Sequence, residues 1–470
     1  MKTYSRRDIG RLAGAASLAL GGSTSFAMAQ AAITKAAIAK AAPKIVIVGG
    51  GAGGATVAHY LLKDLKSGEA RLDVTLIEPN PVYSSSFFSN LYLGGLRTLE
   101  SLSHNYDGLR RIGVKVVHDF VTTVDQSKKT VRTRGGRTFA YDRLVLSPGI
   151  DVKYDSIPGY SAAVEAALPH AYTTSAVGKR QLKAAMDGMQ DGGVFAMVMP
   201  AAPYRCPPGP YERACMIAHY LKTRKPKSKL VILDGKKAFS KQAVFTEAFE
   251  KYYKGIVELN LSTDIDDFSV TALDVKGREI TTKAGKKVKF DAANIIPQQR
   301  AGEIAIKAGL TKGDWVAINP ENFAAKEAKD IYVIGDATSL TAAEMPKSAF
   351  SANSQGKVVA ADILAEFAQK ERFPARYRNA CWSLVAPDDC VKIGANYTPK
   401  DGKLDASGPF VSQKGEDAAL RRQNYEESVG WYAGITADMF AKTLAVAPAP
   451  GGKAPATVPA VPARKGSGAG

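Results

Sequence analysis

The stretch that decides the fold is "KIVIVGGGAGGATVAHYLLK", residues 44–63. It begins with a branched aliphatic run typical of a buried parallel strand. The pattern Gly49-x-Gly51-x-x-Gly54 follows and opens a helical period, so the backbone can approach a pyrophosphate at the helix N-terminus. The next strand, "DVTLIEPN", ends near Glu78, whose carboxylate can accept hydrogen bonds from a ribose. Together these features predict a dinucleotide-binding domain.

Two later segments indicate which dinucleotide is bound. "YDRLVLSPG" (141–149) and "KDIYVIGDAT" (329–338) resemble the strands by which flavoproteins with two dinucleotide-binding domains leave and re-enter their FAD domain. In those proteins the aspartate of the returning Gly-Asp pair, here Gly335 and Asp336, binds the ribityl chain. The resemblance implies that the cofactor is FAD and that the first domain is discontinuous.

A second α/β unit lies between these segments, but its loop is unusual. The strand "GGVFAMVMP" leads into "AAPYRCPPG", where a flavin-dependent reductase would carry a second glycine-rich loop for NAD(P)H. Proline lacks the amide hydrogen that a phosphate needs, and its ring blocks close approach. The sequence therefore predicts that the NAD(P)H site is lost.

The predicted fold class is α/β, with two Rossmann-like dinucleotide-binding domains arranged as in glutathione reductase and a smaller C-terminal α+β domain. The predicted boundaries run in chain order: signal peptide 1–29, linker 30–42, first FAD segment 43–156, second Rossmann-like domain 157–298, second FAD segment 299–373, C-terminal domain 374–444 and disordered tail 445–470.

The first 29 residues resemble a twin-arginine export signal. An Arg pair in "SRRDIGR" precedes a small-residue apolar run and "AMA", which has the form of an A-x-A cleavage site. An amphipathic structural helix is the alternative. Export predicts a periplasmic protein, and no later segment has the 18 consecutive apolar residues of a membrane span.

The chain is strongly basic, with 63 Lys+Arg against 45 Asp+Glu and a net charge of +18. The signal contributes four basic residues and one acidic residue, a net +3, so the exported chain would carry +15. A basic surface can attract nucleic acid, an anionic membrane, an acidic protein partner or small anions, although it can also be a merely soluble surface. Export makes nucleic acid the least expected partner, and no cysteine or histidine cluster predicts a metal site.

Seven motifs in order resemble the flavoprotein subunit of flavocytochrome c sulfide dehydrogenase, with sulfide:quinone oxidoreductases as more distant relatives. They are "VGGGAGG", "VTLIEPN", "YRCPPGPYERA", "IIPQQRAG", "VIGDA", "MPKSAFSANSQGK" and "NACWSLVAP". The resemblance implies an enzyme that oxidises sulfide with FAD and passes electrons to a c-type cytochrome. No haem-attachment motif C-x-x-C-H occurs in this chain, so the haem would belong to the partner.

The same resemblance implies roles for individual residues. A redox-active disulfide would join Cys206 and Cys381, with Cys381 facing the flavin and Cys206 carrying sulfur, although these roles can be reversed and the bond can be purely structural. Glu212 would be a general base, or else a solvated or helix-terminal carboxylate. Lys347 would place positive charge at the flavin pyrimidine edge, or else lie at the surface. Ser86 stands where the best-known members attach the flavin through a cysteine, so FAD should be non-covalent.

Two cysteines match no position in the family pattern. Cys215 and Cys390 are expected to be one buried helical thiol and one loop thiol, or a structural pair.

Three other functions compete with the sulfide dehydrogenase. The first is a flavoprotein that acts on protein-bound persulfides in a thiosulfate-oxidising system. The second is a membrane-docked sulfide:quinone oxidoreductase, and the third is an NAD(P)H-dependent flavin reductase. The export signal and the absence of C-terminal docking helices argue against the second, and "AAPYRCPPG" argues against the third.

Overall fold

A computed structural model describes residues 42–64, 72–264, 267–339 and 345–442. The predicted signal peptide, nearly all of the predicted linker and the predicted tail lie outside these ranges.

The described residues between 42 and 146 form nine strands and three α-helices. They are β1 (Lys44–Val48), α1 (Ala52–Leu62), β2 (Asp73–Ile77), β3 (Tyr83–Ser84), α2 (Ser89–Leu93), β4 (Ser103–His104), α3 (Asp107–Arg111), β5 (Lys115–Val117), β6 (Val121–Asp125), β7 (Thr130–Thr133), β8 (Thr138–Ala140) and β9 (Arg143–Leu146).

The middle part contains the second α/β unit. Its elements are β10 (Ile150–Val152), α4 (Ala162–Glu165), α5 (Ala176–Gly188), β11 (Val194–Val198), α6 (Gly209–Arg224), β12 (Lys229–Asp234), α7 (Gln242–Tyr253), β13 (Val257–Leu261), β14 (Val270–Asp274), β15 (Glu279–Thr282), β16 (Lys287–Lys289), β17 (Ala292–Ile295) and β18 (Gln299–Ala301).

The last part completes the first sheet and adds a third one. It comprises α8 (Glu303–Lys307), β19 (Thr311–Lys312), β20 (Trp315–Val316), β21 (Ala324–Ala325), β22 (Ala328–Val333), α9 (Ala349–Phe367), β23 (Tyr377–Ala386), β24 (Asp389–Lys400), β25 (Lys403–Val411) and α10 (Ala418–Phe440).

The first sheet has the strand order β21-β22-β9-β1-β2-β5 and is parallel except for β21. Strand β1 lies in its middle, with its last four residues buried, as a branched aliphatic strand covered on both faces should be. Because β22 returns to pair with β9, this sheet is built from two segments of chain separated by the second unit. The discontinuous first domain predicted from the sequence thus has its counterpart in the strand order.

The glycine turn after β1 has two positions that only glycine fits. Gly49 has φ +96°, and a Cβ there would lie 2.2 Å from the carbonyl oxygen of Ser147. A Cβ at Gly54 would lie 2.0 Å from the carbonyl oxygen of Gly49. Gly54 therefore serves the close packing of α1 on the turn.

The second sheet, β13-β12-β11-β17, is entirely parallel. Alternate residues of β11 enter different cores: Phe195 and Met197 pack with the helices and the C-terminal strands, whereas Ala196 and Val198 pack toward β14–β16. Strands β10 and β18 pair antiparallel where the chain leaves and re-enters the first domain.

The C-terminal part is an antiparallel sheet, β23-β24-β25, followed by α10. Helix α10 packs against α1 and β24, and β23 packs against α6 and α9. The C-terminal sheet is thereby held against both dinucleotide-binding units. Within the described ranges, no helix is both long and apolar enough to cross a membrane.

Candidate flavin and dithiol site

One cavity runs from the glycine turn after β1 to the C-terminal sheet. It encloses about 1300 Å³, its open mouth included. Nine of the eleven residues predicted from the sequence line it: Gly49, Gly51, Glu78, Ser86, Cys206, Glu212, Gly335, Asp336 and Cys381. The fold therefore brings into one space residues that lie far apart in the chain.

The end of the cavity at the glycine turn has the features of a dinucleotide site. Helix α1 begins directly after Gly51 without a side-chain cap, which leaves its positive end open to a phosphate. The Glu78 carboxylate is buried beside the turn, where Oε2 accepts from the Gly50 amide at 2.8 Å and Oε1 accepts from the Asn80 amide at 2.9 Å. These contacts orient the carboxylate at the cavity wall.

The Gly335–Asp336 segment forms the middle of the cavity wall. The Asp336 carboxylate pairs through Oδ2 with the Arg205 Nε at 2.6 Å, while its Oδ1 is buried with no hydrogen-bond partner. An unpartnered buried carboxylate oxygen is costly unless a ligand satisfies it. A ribityl hydroxyl of FAD would do so, and the residues present therefore fit the predicted cofactor.

Sequence reasoning missed Arg205, the residue before Cys206. Its guanidinium bonds Asp336 and donates from Nη1 to the Tyr172 carbonyl at 2.7 Å. Burial lowers the pKa of Arg205, but the Asp336 carboxylate together with Tyr83 and Tyr172 outweighs this effect, so the net shift is upward. Arg205 belongs to the proline-rich loop quoted above, but its partner Asp336 lies 131 residues away in the sequence, so the loop alone does not reveal the pairing.

Cys206 lies in the proline-rich loop in a left-handed conformation, with φ +54°. Such a conformation in a non-glycine residue costs about 1–3 kcal/mol and is held by its surroundings. Here the Cys206 amide donates to the Lys347 carbonyl and its own carbonyl accepts from the Gly209 amide, both at 2.7 Å. A Cβ at Gly209 would lie 2.9 Å from the Cys206 sulfur, so glycine leaves room for the thiol at the start of α6.

Cys381 lies in β23 and lines the same cavity. Its Sγ lies 3.7 Å from the Oδ1 of Asn379. Burial raises the pKa of both Cys206 and Cys381. All four cysteines are free thiols in the structure, so the Cys206–Cys381 bond stays a prediction.

Glu212, in the first turn of α6, also lines the cavity. Its Oε2 accepts from the Asn90 side-chain amide at 2.7 Å, and its Oε1 accepts from the Leu384 amide at 2.9 Å. Burial raises the pKa of Glu212. The carboxylate is therefore fixed in the cavity, which disfavours the alternative of a solvated side chain.

Two predicted residues do not line the cavity. Gly54 packs behind the turn, as described above. Lys347 is buried, and its Nζ donates to the carbonyls of Asp336 at 2.9 Å and Thr338 at 2.5 Å while lying 3.6 Å from the centre of the Trp315 ring. Lys347 is therefore not a surface lysine, and burial lowers its pKa to about 7. Its charge at the flavin stays a prediction.

The helix that follows Lys347 does reach the cavity. Helix α9 is capped by Ser348, whose Oγ accepts from the Ser351 amide at 3.0 Å, and Ser348, Ala349 and Phe350 line the wall. The positive end of a 19-residue helix thus points at this space.

The remaining cysteines lie in the core. Cys215 is buried in α6 and Cys390 is buried in β24, opposite Leu384 of β23. The expectation of a loop thiol at Cys390 is wrong, because the residue belongs to a paired strand.

In the second sheet, the carboxylate at the end of β12, where a ribose-binding acid would stand, is not accessible. Strand β12 ends at Asp234, which is fully buried. Its Oδ2 accepts from the Tyr211 hydroxyl at 2.5 Å and its Oδ1 accepts from the Lys236 ammonium at 2.7 Å. At the start of α6, the amides of Gly209 and Glu212 donate to carbonyls of the loop itself. This arrangement supports the predicted loss of the NAD(P)H site.

Three family models match the chain. Residues 179–297 match the central domain of the sulfide dehydrogenase (flavocytochrome c) flavoprotein chain. Residues 373–440 match the flavin-binding domain of flavocytochrome c sulphide dehydrogenase, and residues 43–184 match pyridine nucleotide-disulphide oxidoreductase.

Among curated proteins, the mitochondrial sulfide:quinone oxidoreductase of Dictyostelium discoideum is 22% identical over 330 residues, 68% of this chain and 70% of that protein. The mouse mitochondrial enzyme is 21% identical over 316 residues, 63% of this chain and 66% of that protein. The chain thus spans about two thirds of these relatives.

Solved structures show the same fold. The sulfide:quinone oxidoreductase of Aquifex aeolicus gives a TM-score of 0.63 at 16% identity, covering 86% of this chain and 93% of that one. Putidaredoxin reductase, in its covalent complex with putidaredoxin, gives 0.58 at 19% identity, covering 79% and 87%.

The fold and the cavity thus define a flavoprotein of the pyridine nucleotide-disulphide oxidoreductase class. Within that class the chain is a flavoprotein related to flavocytochrome c sulfide dehydrogenase and sulfide:quinone oxidoreductase. It is an FAD-dependent oxidoreductase that acts on sulfide. These findings confirm the predicted fold class, cofactor and reaction class.

Proposed function

We propose that the chain is a periplasmic sulfide dehydrogenase flavoprotein that oxidises hydrosulfide through a Cys206–Cys381 disulfide and passes electrons from FAD to a c-type cytochrome. The observation that carries the proposal is that Cys206, Cys381 and Glu212 line the same cavity as Glu78 and Asp336. A pair of thiols thereby lines the cavity predicted to hold the flavin, in a fold where a proline-rich loop replaces the glycine-rich loop that would bind NAD(P)H.

The first chemical step is a thiol–disulfide exchange. Hydrosulfide attacks the sulfur of Cys206, the bond between the two cysteines breaks, and a new sulfur–sulfur bond forms on Cys206. Cys206 then carries a persulfide, and Cys381 keeps the electron pair of the broken bond as a thiolate. Charge balances, because one anion enters and one thiolate results.

Glu212 has the position of a proton acceptor in this step. Its carboxylate is held by Asn90 and Leu384 and faces the cavity that holds both thiols. It would take a proton from hydrogen sulfide and leave hydrosulfide as the nucleophile. Its raised pKa suits proton exchange nearer to neutral pH than an ordinary glutamate allows.

FAD, when bound, supplies a two-electron acceptor next to the thiols. The turn at Gly49 and Gly51 and the N-terminus of α1 would hold its pyrophosphate, and Glu78 and Asp336 would hold its sugar hydroxyls. The N-terminus of α9 would favour negative charge in the flavin region. Ser86 has no sulfur for a thioether, which supports non-covalent binding.

The net charge of the chain and its predicted export support a c-type cytochrome as the electron acceptor. The exported chain would carry +15, which favours encounter with an acidic protein, and screening lengths of roughly 8–10 Å at physiological ionic strength make that encounter salt-sensitive. With separately purified components and no lipid, sulfide should reduce a c-type cytochrome, and the second-order rate should fall as salt rises. Retention of the chain in the cytoplasm of cells with a working twin-arginine route would contradict the proposed localisation, and export in cells that lack that route would contradict the proposed route.

A sulfide:quinone oxidoreductase is the second candidate, favoured by one feature of the cavity. Part of its wall is a cluster of aromatic rings. The centre of the Trp431 ring lies 5.4 Å from the ring centres of Trp382 and Phe87, and 6.1 Å from that of Phe350, whose ring is nearly parallel to it. Such a surface can pack against a quinone ring. Efficient reduction of a short-chain quinone, with no cytochrome reduction at any ionic strength, would select this candidate.

A further inference from the structure

A buried lysine packs against the strand that carries Cys381. Lys241 immediately precedes α7, adopts a left-handed conformation with φ +59°, and is 7% exposed. Its Nζ donates to the Ser383 hydroxyl at 2.8 Å, to the Val391 carbonyl at 3.3 Å and to the Cys381 carbonyl at 3.4 Å. Neither the fold class nor the predicted reaction assigns a role to it.

The partners of Lys241 are unusual for a buried ammonium, because all three are neutral. No described residue forms an ion pair with it, and a buried charge without a counter-charge is costly. Four acidic groups act on its charge: Cys381 on β23, Cys390 on β24, Glu212 in the first turn of α6 and Cys206 in the loop before that helix. Among the four, Cys381 has the strongest influence.

We propose that Lys241 is a positioning residue whose ammonium provides the counter-charge for the Cys381 thiolate formed when the disulfide opens. The proposal rests on the proposed function and deepens it. In the exchange step Cys381 is the leaving group, and a leaving thiolate departs faster when its negative charge is stabilised. The proton balance is unchanged, because Lys241 stays protonated throughout and acts only through its charge.

The electrostatics of the two thiols differ in the direction that this role requires. Burial raises the pKa of Cys381, and Lys241 is the largest influence that opposes it. Burial also raises the pKa of Cys206, and there Cys381 and Glu212, which raise it further, both outrank the lowering influence of Lys241. Lys241 therefore favours the thiolate on Cys381, and the sulfur is left on Cys206.

The test removes the charge of Lys241 and measures the thiol directly. In the reduced holoprotein, without sulfide, the rate of Cys381 alkylation by iodoacetamide is followed against pH by peptide mass spectrometry. Lys241→Met and Lys241→Gln should each lower the rate at pH 7 at least about tenfold and move the midpoint of the pH profile upward, since one pKa unit changes the thiolate fraction tenfold. Lys241→Arg, which keeps the charge, should stay within about threefold of the unmodified protein.

Lys237→Met is the matched control, because Lys237 lies in the same loop and is exposed; it should leave the profile unchanged. Lys241→Gln keeps a hydrogen bond to Ser383 without the charge, so it carries the test if the methionine variant does not fold. A pH profile for Lys241→Gln that matches the unmodified protein would overturn the proposal and leave Lys241 a structural donor. Flavin reduction by sulfide in the unmodified protein, measured alongside, reports separately on the proposed function.

Discussion

Replacement of Glu212 by glutamine tests the proposed role of Glu212 as proton acceptor, and the size of its effect follows from the contacts of the carboxylate. Both carboxylate oxygens accept hydrogen bonds, one from Asn90 and one from the Leu384 amide. Glutamine has one acceptor oxygen, so its NH₂ group would face one of these donors. An unsatisfied buried donor costs about 1–3 kcal/mol, and loss of a general base typically costs about 10²- to 10⁴-fold in rate.

We therefore expect Glu212→Gln to bind FAD, to unfold at a lower urea concentration, and to be reduced by sulfide at least about 100-fold more slowly in anaerobic stopped-flow experiments. Asn90→Ala is the control, because it removes one of the two donors to Glu212 and keeps the carboxylate; it also removes the bond to the Gly209 carbonyl and the acceptor of the Arg213 Nε. It should lose at least as much stability as Glu212→Gln but less than about tenfold in rate, since the proton acceptor is retained. Reduction of Glu212→Gln within about threefold of the unmodified rate would refute the role of Glu212 as a base.

Three further outcomes are expected. Acid precipitation should release the flavin completely, because Ser86 cannot form a thioether; flavin fluorescence on the denatured polypeptide after electrophoresis would contradict this. Cys215→Ser and Cys390→Ser should keep most of the sulfide-dependent flavin reduction, since both thiols lie in the core and outside the cavity lining. Loss of activity in either variant would mean that Cys206 and Cys381 are not the redox pair. Burial lowers the pKa of Lys347 to about 7. Between this pH and the ordinary lysine range, the unfolded chain therefore binds more protons at Lys347 than the folded protein does. The free energy of unfolding should rise there by up to about 1.4 kcal/mol per pH unit. Lys347→Met should remove that rise in urea unfolding between pH 7 and 10, and an unchanged slope would show that the lysine is charged in the folded protein.

The elements that sequence analysis predicted well are those whose signal is local. The turn after β1 requires glycine because neighbouring backbone atoms lie where a Cβ would be, and this requirement leaves a fixed spacing in the sequence. The family motifs around Cys206 and Cys381 are likewise contiguous, so their meeting in one cavity could be expected. The proline-rich loop was informative for the same reason, since proline restricts its own backbone.

The elements that were missed depend on contacts between distant segments. Arg205 is adjacent to Cys206, yet its role follows from Asp336, 131 residues away. Lys241 follows a strand of the second sheet, and only the packing of the C-terminal sheet brings it to Cys381. The position of the Lys347 ammonium is set by its contacts with the Trp315 ring and with two carbonyls. Such contacts leave no regular spacing of residues in the sequence.

The central claim is that electrons from sulfide enter FAD through the Cys206–Cys381 pair. The most direct test is an anaerobic sulfide titration of the purified protein, followed by flavin absorbance, beside Cys206→Ser and Cys381→Ser variants that retain FAD. We predict stoichiometric bleaching of the unmodified protein and none in either variant, because each substitution removes the electrophilic disulfide. Bleaching of either variant at the unmodified rate, or no bleaching of the unmodified protein, would contradict the claim.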